Sequence, residues 1–228
     1  MIFRWLFFLS YLPSLLTNTI KLNTTNFIML KGPITPEKTN SFLYEFNLLS
    51  SKDVYLYIDS PGGHIEEGLR IVNEVIQYNL TCIAEKAYSM AFVIFQSCKK
   101  RYVLPFGKLM QHQISFGIKN EKAKVENYIQ FIQQMEDTIL TIQSSKINIS
   151  NDELKSRTTN EWWIFGYNTI REKCADEIVN VQCTRSLTLQ NTSHQIYHYL
   201  YIYSKCPLVS EPIDKVKTKD EKKIEIFI

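Results

Sequence analysis

The sequence predicts an α/β fold in which helices cross over a parallel sheet. Short β-rich apolar runs alternate with segments whose apolar residues recur at helical spacing. Glycine- and proline-containing breaks separate the two kinds of segment. With 228 residues, 45% hydrophobic and 21% charged, the chain can bury a core and is too apolar for wholesale disorder.

The first nineteen residues, MIFRWLFFLSYLPSLLTNT, carry one early Arg4 and an apolar stretch from Trp5 to Leu16 broken by Pro13. That stretch is short for a bilayer span and matches the apolar region of a secretory signal. The expectation is a signal-like or membrane-anchoring leader over residues 1–20, with membrane association through residues 2–16. A hydrophobic helix that docks on the protein or on a partner is the alternative, and the small-residue cleavage pattern is poor.

Asn26 to Ile34 reads as a strand ending at a Gly-Pro turn. A helix follows from Pro36, with Glu37 in its first turn and Phe42, Leu43, Phe46 and Leu49 on one side. DVYLYIDSPGG (Asp53 to Gly63) is a strand closed by a strong chain-reversal signal. Between His64 and Tyr78, Ile65, Leu69, Val72, Val75 and Ile76 keep helical spacing, and Glu66 and Glu67 suit the positive end of the helix dipole. TCIA is the next strand, SMAFVIF a helix, and RYVLPFGKLMQHQ two extended pieces around Pro105.

From Glu121 to Ile147 a single apolar stripe runs through Val125, Tyr128, Ile129, Ile132, Met135, Ile139 and Ile142, opposite a charged, Gln-rich face. This predicts a long helix that projects from the core onto another subunit, or packs on a second helix of the same chain. Ser150 or Asn151 caps a further helix, with Glu153 placed for a capping box. An aromatic strand or loop, a short helix and a final strand follow up to Cys183. The tail from Ser210 reads as charged and mobile.

A net charge of +3 without a basic, aromatic-interleaved stripe argues against nucleic acid as a partner. The five cysteines form no CxxC pair and no metal-ligand spacing with histidines, so no metal and no cofactor are expected. Cys183 and Cys206 could form a bridge or stay free, and an odd count leaves one thiol unpaired. Sequons at Asn23, Asn79, Asn148 and Asn191 suit a secretory route.

Three segments carry possible chemistry. Ser89 heads the apolar run of EKAYSMAFVIFQSC, where free N–H groups of a helix start favour negative charge. It is a candidate nucleophile, or a simple helix cap. Gly62 and Gly63 allow close backbone approach, so the Gly63 and Met90 N–H groups are candidate oxyanion donors. A tight turn is the plainer reading of SPGG. His112, at the end of an extended stretch, is the candidate base.

In this order, YLYIDSPGG, AYSMAFVIF, KKRYVLPFGKLMQHQ and a long helix resemble the proteolytic subunit of the Clp protease family over about Phe27 to Val181. The resemblance implies a Clp/crotonase-like fold of repeated ββα units with a projecting long handle helix. It implies a serine peptidase domain over residues 26–183, with 184–228 as a partly mobile C-terminal extension. Ser89 takes the nucleophile position, His112 the base, and Gly63 and Met90 the oxyanion hole. Gly62, His64 and Ile65 on one side, and Gln113, Ile114 and Ser115 on the other, are placed to hold a substrate strand.

Counting back without gaps from Asp176 puts Glu161 at the family's catalytic aspartate, with Asn160 as a substitute. Glu85 replaces a glycine, Ile114 replaces a proline, and Lys86 and Tyr88 are bulky neighbours of Ser89. These departures narrow the cleft or change its specificity, or mark a catalytically silent subunit of a mixed ring. The fold also admits acyl-CoA chemistry, against which the SMA and HQ motifs speak.

The resemblance further implies a homo-oligomeric ring through the 121–147 helix, a polypeptide substrate, and an AAA+ unfoldase if the protein is not secreted. No ATP-binding loop occurs in the chain itself. A working leader would place the protein in the secretory pathway or at a membrane, where ATP-independent cleavage is expected; an organellar or cytoplasmic site is the alternative.

Overall fold

A computed structural model describes residues 18–218. The expected leader therefore lies almost wholly outside the described residues. Its last residues, Thr19 and Ile20, belong to strand β1 (Thr19–Leu22), which pairs in parallel with β8 (Asn180–Cys183). Among the described residues no helix is long and apolar enough to cross a membrane.

The main sheet is built in chain order from β2 (Phe27–Lys31), β3 (Tyr55–Ser60), β4 (Thr81–Tyr88) and β5 (Lys100–Gln111), all parallel. β6 (Trp162–Phe165) pairs antiparallel with the end of β5, and the short β7 (Glu177–Ile178) pairs in parallel nearer its start. The crossovers are α1 (Pro36–Leu48), α2 (Ile65–Gln77) and α3 (Met90–Ser97), as the alternating pattern requires.

Residues alternate across the strands so that both sheet faces are buried. Leu56 and Ile58 of β3 and Cys82 and Ala84 of β4 join the core beneath the helices, with Phe46, Val75, Phe92 and Phe95. Tyr57 and Ile83 point the other way, into a second cluster with Leu22, Val179 and Leu187.

The expected long helix is α4 (Lys122–Ile147). Its buried residues begin at Ile132 and continue through Ile139, Leu140, Gln143, Ser144 and Ile147, against α3 and α5 (Asn151–Thr158). The turns before Ile132 project, with Tyr128, Ile129 and Phe131 exposed and Tyr128 edge-on to Phe116. After α6 (Asn168–Arg171) and β8, α7 (Arg185–Thr188) leads into an antiparallel meander of β9 (Asn191–Ile196), β10 (Tyr199–Ser204) and β11 (Asp214–Lys217). Part of the segment read as a charged tail is thus a strand, while residues 219–228 lie outside the described residues.

Cys183 pairs with Cys206 and ties the meander to β8. A second pair, Cys82–Cys98, joins the start of β4 to the end of α3. Cys174 is left as a buried free thiol.

Candidate active site

The site lies at the C-terminal ends of the parallel strands. β4 stops at Tyr88 and α3 starts at Met90, so Ser89 alone makes the turn between them. It does so with φ 53° and ψ −123°, a backbone state that costs a non-glycine residue about 1–3 kcal/mol and that recurs where a nucleophile is presented on a strand–helix elbow. The Ser89 side chain makes no capping bond to α3. Its Oγ instead stands 2.9 Å from His112 Nε2. Ser89 is therefore paired with His112 rather than capping α3 through its side chain.

The elbow is held from below. Ser89 N–H donates to Met110 O (2.9 Å), fixing β4 to β5 one residue before the chain reaches Gln111. Gly62, at φ +87°, lies so close that an added Cβ would meet Tyr88 O at 2.5 Å and Met90 N at 2.9 Å. Gly63 bridges to Ile34, with Ile34 N–H donating to Gly62 O and His64 N–H donating to Ile34 O. Among the described residues, the N–H groups of Gly63 and Met90 donate to nothing, and both residues line the cavity beside Ser89.

His112 follows β5 and is braced through its backbone. Its N–H donates to Gln111 Oε1 (3.1 Å), and the Gln111 amide in turn donates to Gln143 of α4. Both glutamines are buried. Gln113 is tied to the end of α5 by its N–H to Thr158 O (3.1 Å) and its side-chain amide to Thr159 O (2.6 Å). No local sequence pattern points to this glutamine chain, because Gln111 and Gln143 are 32 residues apart and meet only in the folded chain.

A cavity of about 410 Å³ opens at Ser89 and His112. Val93, Ile139, Leu140 and Leu154 give it an apolar floor, and Glu136 and Lys155 also line it. Of the substrate residues expected from sequence, Ile65, Gln113, Ile114 and Ser115 line this cavity. Gly62 packs behind the elbow instead, and His64 sits exposed before α2, outside the lining.

The structure does not bring Glu161 to His112. Its Oε2 accepts the indole N–H of Trp163 at 2.8 Å. Glu161 and Asn160 nevertheless line a second, more open cleft of about 830 Å³ together with His112.

The sequence profile of the Clp protease family, described as "Clp protease", matches residues 14–204. The chain belongs to the Clp protease family. It is 28% identical over 162 residues to ATP-dependent Clp protease proteolytic subunit 1 of Borreliella burgdorferi, a match covering 67% of this chain and 83% of that protein. The ATP-dependent Clp protease proteolytic subunit of Borreliella afzelii is 27% identical over the same length, covering 67% of this chain and 82% of that protein.

Glu85, Lys86 and Tyr88, the departures expected from sequence, each have a defined partner. Glu85 falls where the β3–β4–β5 register shifts, and it accepts the hydroxyl of fully buried Tyr57 at 2.7 Å. Burial, reinforced by this carboxylate, pushes the Tyr57 hydroxyl far up, so it stays a donor. Lys86 pairs with its cross-strand neighbour Asp59 at 2.9 Å. Tyr88 packs edge-on against Trp163 with ring centroids 5.0 Å apart. None of these three lines either cavity, whereas Ile114, the remaining departure, lines both.

Below the site, buried Arg101 holds the α6 end of the fold. Its guanidinium donates to Asp176, Gln96 Oε1 and Lys173 O, while its N–H donates to Asp176 Oδ2 at 2.8 Å. Burial alone raises the Asp176 carboxyl, but the hydrogen bonds and charge of Arg101 outweigh it and hold the group below its ordinary range.

Proposed function

We propose that this protein is a serine endopeptidase of the Clp proteolytic-subunit type. The observation that carries the reading is the 2.9 Å approach of Ser89 Oγ to His112 Nε2 at a strained elbow flanked by two undonated N–H groups. Ser89 Oγ attacks the peptide carbonyl carbon as its proton passes to Nε2 of His112. The carbonyl oxygen becomes an oxyanion held by the N–H groups of Gly63 and Met90.

Collapse breaks the C–N bond, the departing amine takes the proton from His112, and an acyl ester remains on Ser89. Water, deprotonated by His112, then hydrolyses that ester. Glu161 would orient His112 and offset the charge of the imidazolium. The substrate strand lies along Ile65 and Gln113–Ser115 by β-augmentation. The side chain preceding the cleaved bond enters the apolar floor at Val93, Ile139, Leu140 and Leu154, which favours apolar residues there.

The exposed first turns of α4 suit contact between subunits, in keeping with rings of the Clp type. The relatives' names call those proteins ATP-dependent, which makes an unfoldase a candidate partner here too. Two cystine pairs support an oxidising compartment, in which that partnership would give way to ATP-independent peptide cleavage.

Cleavage of an unstructured peptide by the assembled recombinant protein, lost in Ser89→Ala, tests the proposal. Cleavage that survives Ser89→Ala would overturn it. One observation favours a second reading: the Glu161 carboxylate bonds Trp163 rather than His112. A silent subunit of a mixed ring would show no turnover alone and would support turnover only beside a second, active subunit.

A further inference from the structure

Glu161, immediately before β6, and Trp163, its second residue, stand two apart in extended chain, so their side chains point to the same side. The Trp163 ring is fixed by its edge-on packing against Tyr88, which sets the direction of its indole N–H. That N–H is bonded to Glu161 Oε2. Across the open cleft, His112 commits Nε2 to Ser89, while its Nδ1 has no hydrogen-bond partner among the described residues. Two N–H donors, on Trp163 and on His112, therefore border the same space as one carboxylate, and in this structure the indole holds it.

We propose that Trp163 is a latch on the triad acid: its indole N–H keeps Glu161 off His112, and the triad completes only when that bond opens. The inference rests on the peptidase reading of Ser89 and His112. A glutamate suits this exchange, because its extra methylene relative to aspartate gives it a second rotatable reach from the same backbone position. While the latch is closed, the imidazolium that forms during attack by Ser89 lacks its counter-charge. Glu161 and Trp163 are both exposed, so water competes for the bond and keeps it weak. Opening it is worth roughly 3- to 10-fold, the range for one net hydrogen bond.

Trp163→Phe removes the N–H and keeps an aromatic ring against Tyr88. In the assembled full-length protein, the pH dependence of His112 carbethoxylation by diethyl pyrocarbonate, mapped by peptide mass spectrometry, reports protonation of its imidazole. The rate of fluorophosphonate labelling at Ser89 reports the nucleophile. In W163F, His112 should titrate about 0.5 to 1 pH unit higher, because the freed carboxylate stabilises the imidazolium, and Ser89 should label roughly 3- to 10-fold faster. W163F/E161Q should show neither gain. Glu136 and Lys155, the other charged residues lining the clefts at His112, are untouched in both variants.

An unchanged or lowered His112 titration in W163F overturns the latch. If W163F does not fold, E161Q alone decides: a fall in the His112 titration of about one unit or more would mean that Glu161 already serves His112, and a negligible change supports the latch. A raised titration with Ser89 unlabelled in every variant would leave the latch standing and overturn the peptidase reading. Labelling of wild-type Ser89 with an unmoved titration in W163F would do the reverse.

Discussion

Replacing Gly62 with alanine tests how tightly the elbow at Ser89 is built, and Gly32 supplies the internal control. Both glycines have similar positive φ, +87° and +81°. Alanine in that region costs about 1–2 kcal/mol at either position. At Gly32 the new Cβ would meet nothing within 4 Å. At Gly62 it would stand 2.5 Å from Tyr88 O, 2.8 Å from Ser89 Cβ and 2.9 Å from Met90 N. All three are backbone or Cβ atoms, so the elbow itself must move.

Overpacking of this kind adds about 1–3 kcal/mol, for a total of about 2–5 kcal/mol at Gly62. In a domain of this size 1 kcal/mol shifts Tm by about 2–4 °C, so Gly32→Ala should lose about 2–8 °C and Gly62→Ala about 4–20 °C. The activity contrast should be larger. The displacement falls on Ser89 and on the Met90 N–H, and loss of one oxyanion donor costs about 100- to 1,000-fold. Thermal unfolding together with the rate of peptide cleavage reads both effects. If Gly62→Ala cleaves peptide as fast as Gly32→Ala, the close approach does not matter to the site and the reasoning is wrong.

Asp176→Asn leaves the charge of buried Arg101 partly uncompensated. Because Asp176 is 39% exposed, water shares the load, and a loss of about 2–3 kcal/mol is expected by chemical denaturation. The Asp176 carboxyl is depressed in the folded state, so its contribution is present above the unfolded carboxylate range and is lost as pH falls through the folded value. Wild type should therefore lose stability on acidification more steeply than D176N, as thermal unfolding against pH would show. Burial pushes the Cys174 thiol up to about 12, so alkylation of the native, unreduced protein should leave Cys174 unmodified until it is denatured. Cys82→Ala/Cys98→Ala opens a cross-link between residues 16 apart and should cost about 3 kcal/mol, read as a fall in the denaturation midpoint.

The crossover helices and parallel strands were legible because their apolar residues keep clean periods; Ser89, Gly63, Met90 and His112 were grouped through the resemblance to the Clp family, and the structure places all four beside one cavity. β4 runs four residues beyond the TCIA segment, through Tyr88, because a register shift at Glu85 absorbs a charged residue that reads as a break. The meander is hidden in the sequence for a related reason. Tyr199, Tyr201 and Tyr203 alternate with apolar Leu200 and Ile202, which leaves no polar–apolar period to read.

The turn between β9 and β10 is also disguised. Tyr197 adopts φ 53° in the two-residue loop with His198, where glycine or asparagine is the usual signal. Glu161 could be placed on the chain by counting from Asp176, but its hydrogen-bond partner could not. That partner depends on how Tyr88 fixes the Trp163 ring across β5, a contact with no trace in local sequence.

The central claim is that Ser89 is activated by His112. Treating the assembled protein with a fluorophosphonate probe and locating the adduct by peptide mass spectrometry tests it most directly. A label on Ser89 that disappears in His112→Ala is expected. An unlabelled Ser89 in the assembled oligomer, or a label that persists without His112, would contradict it.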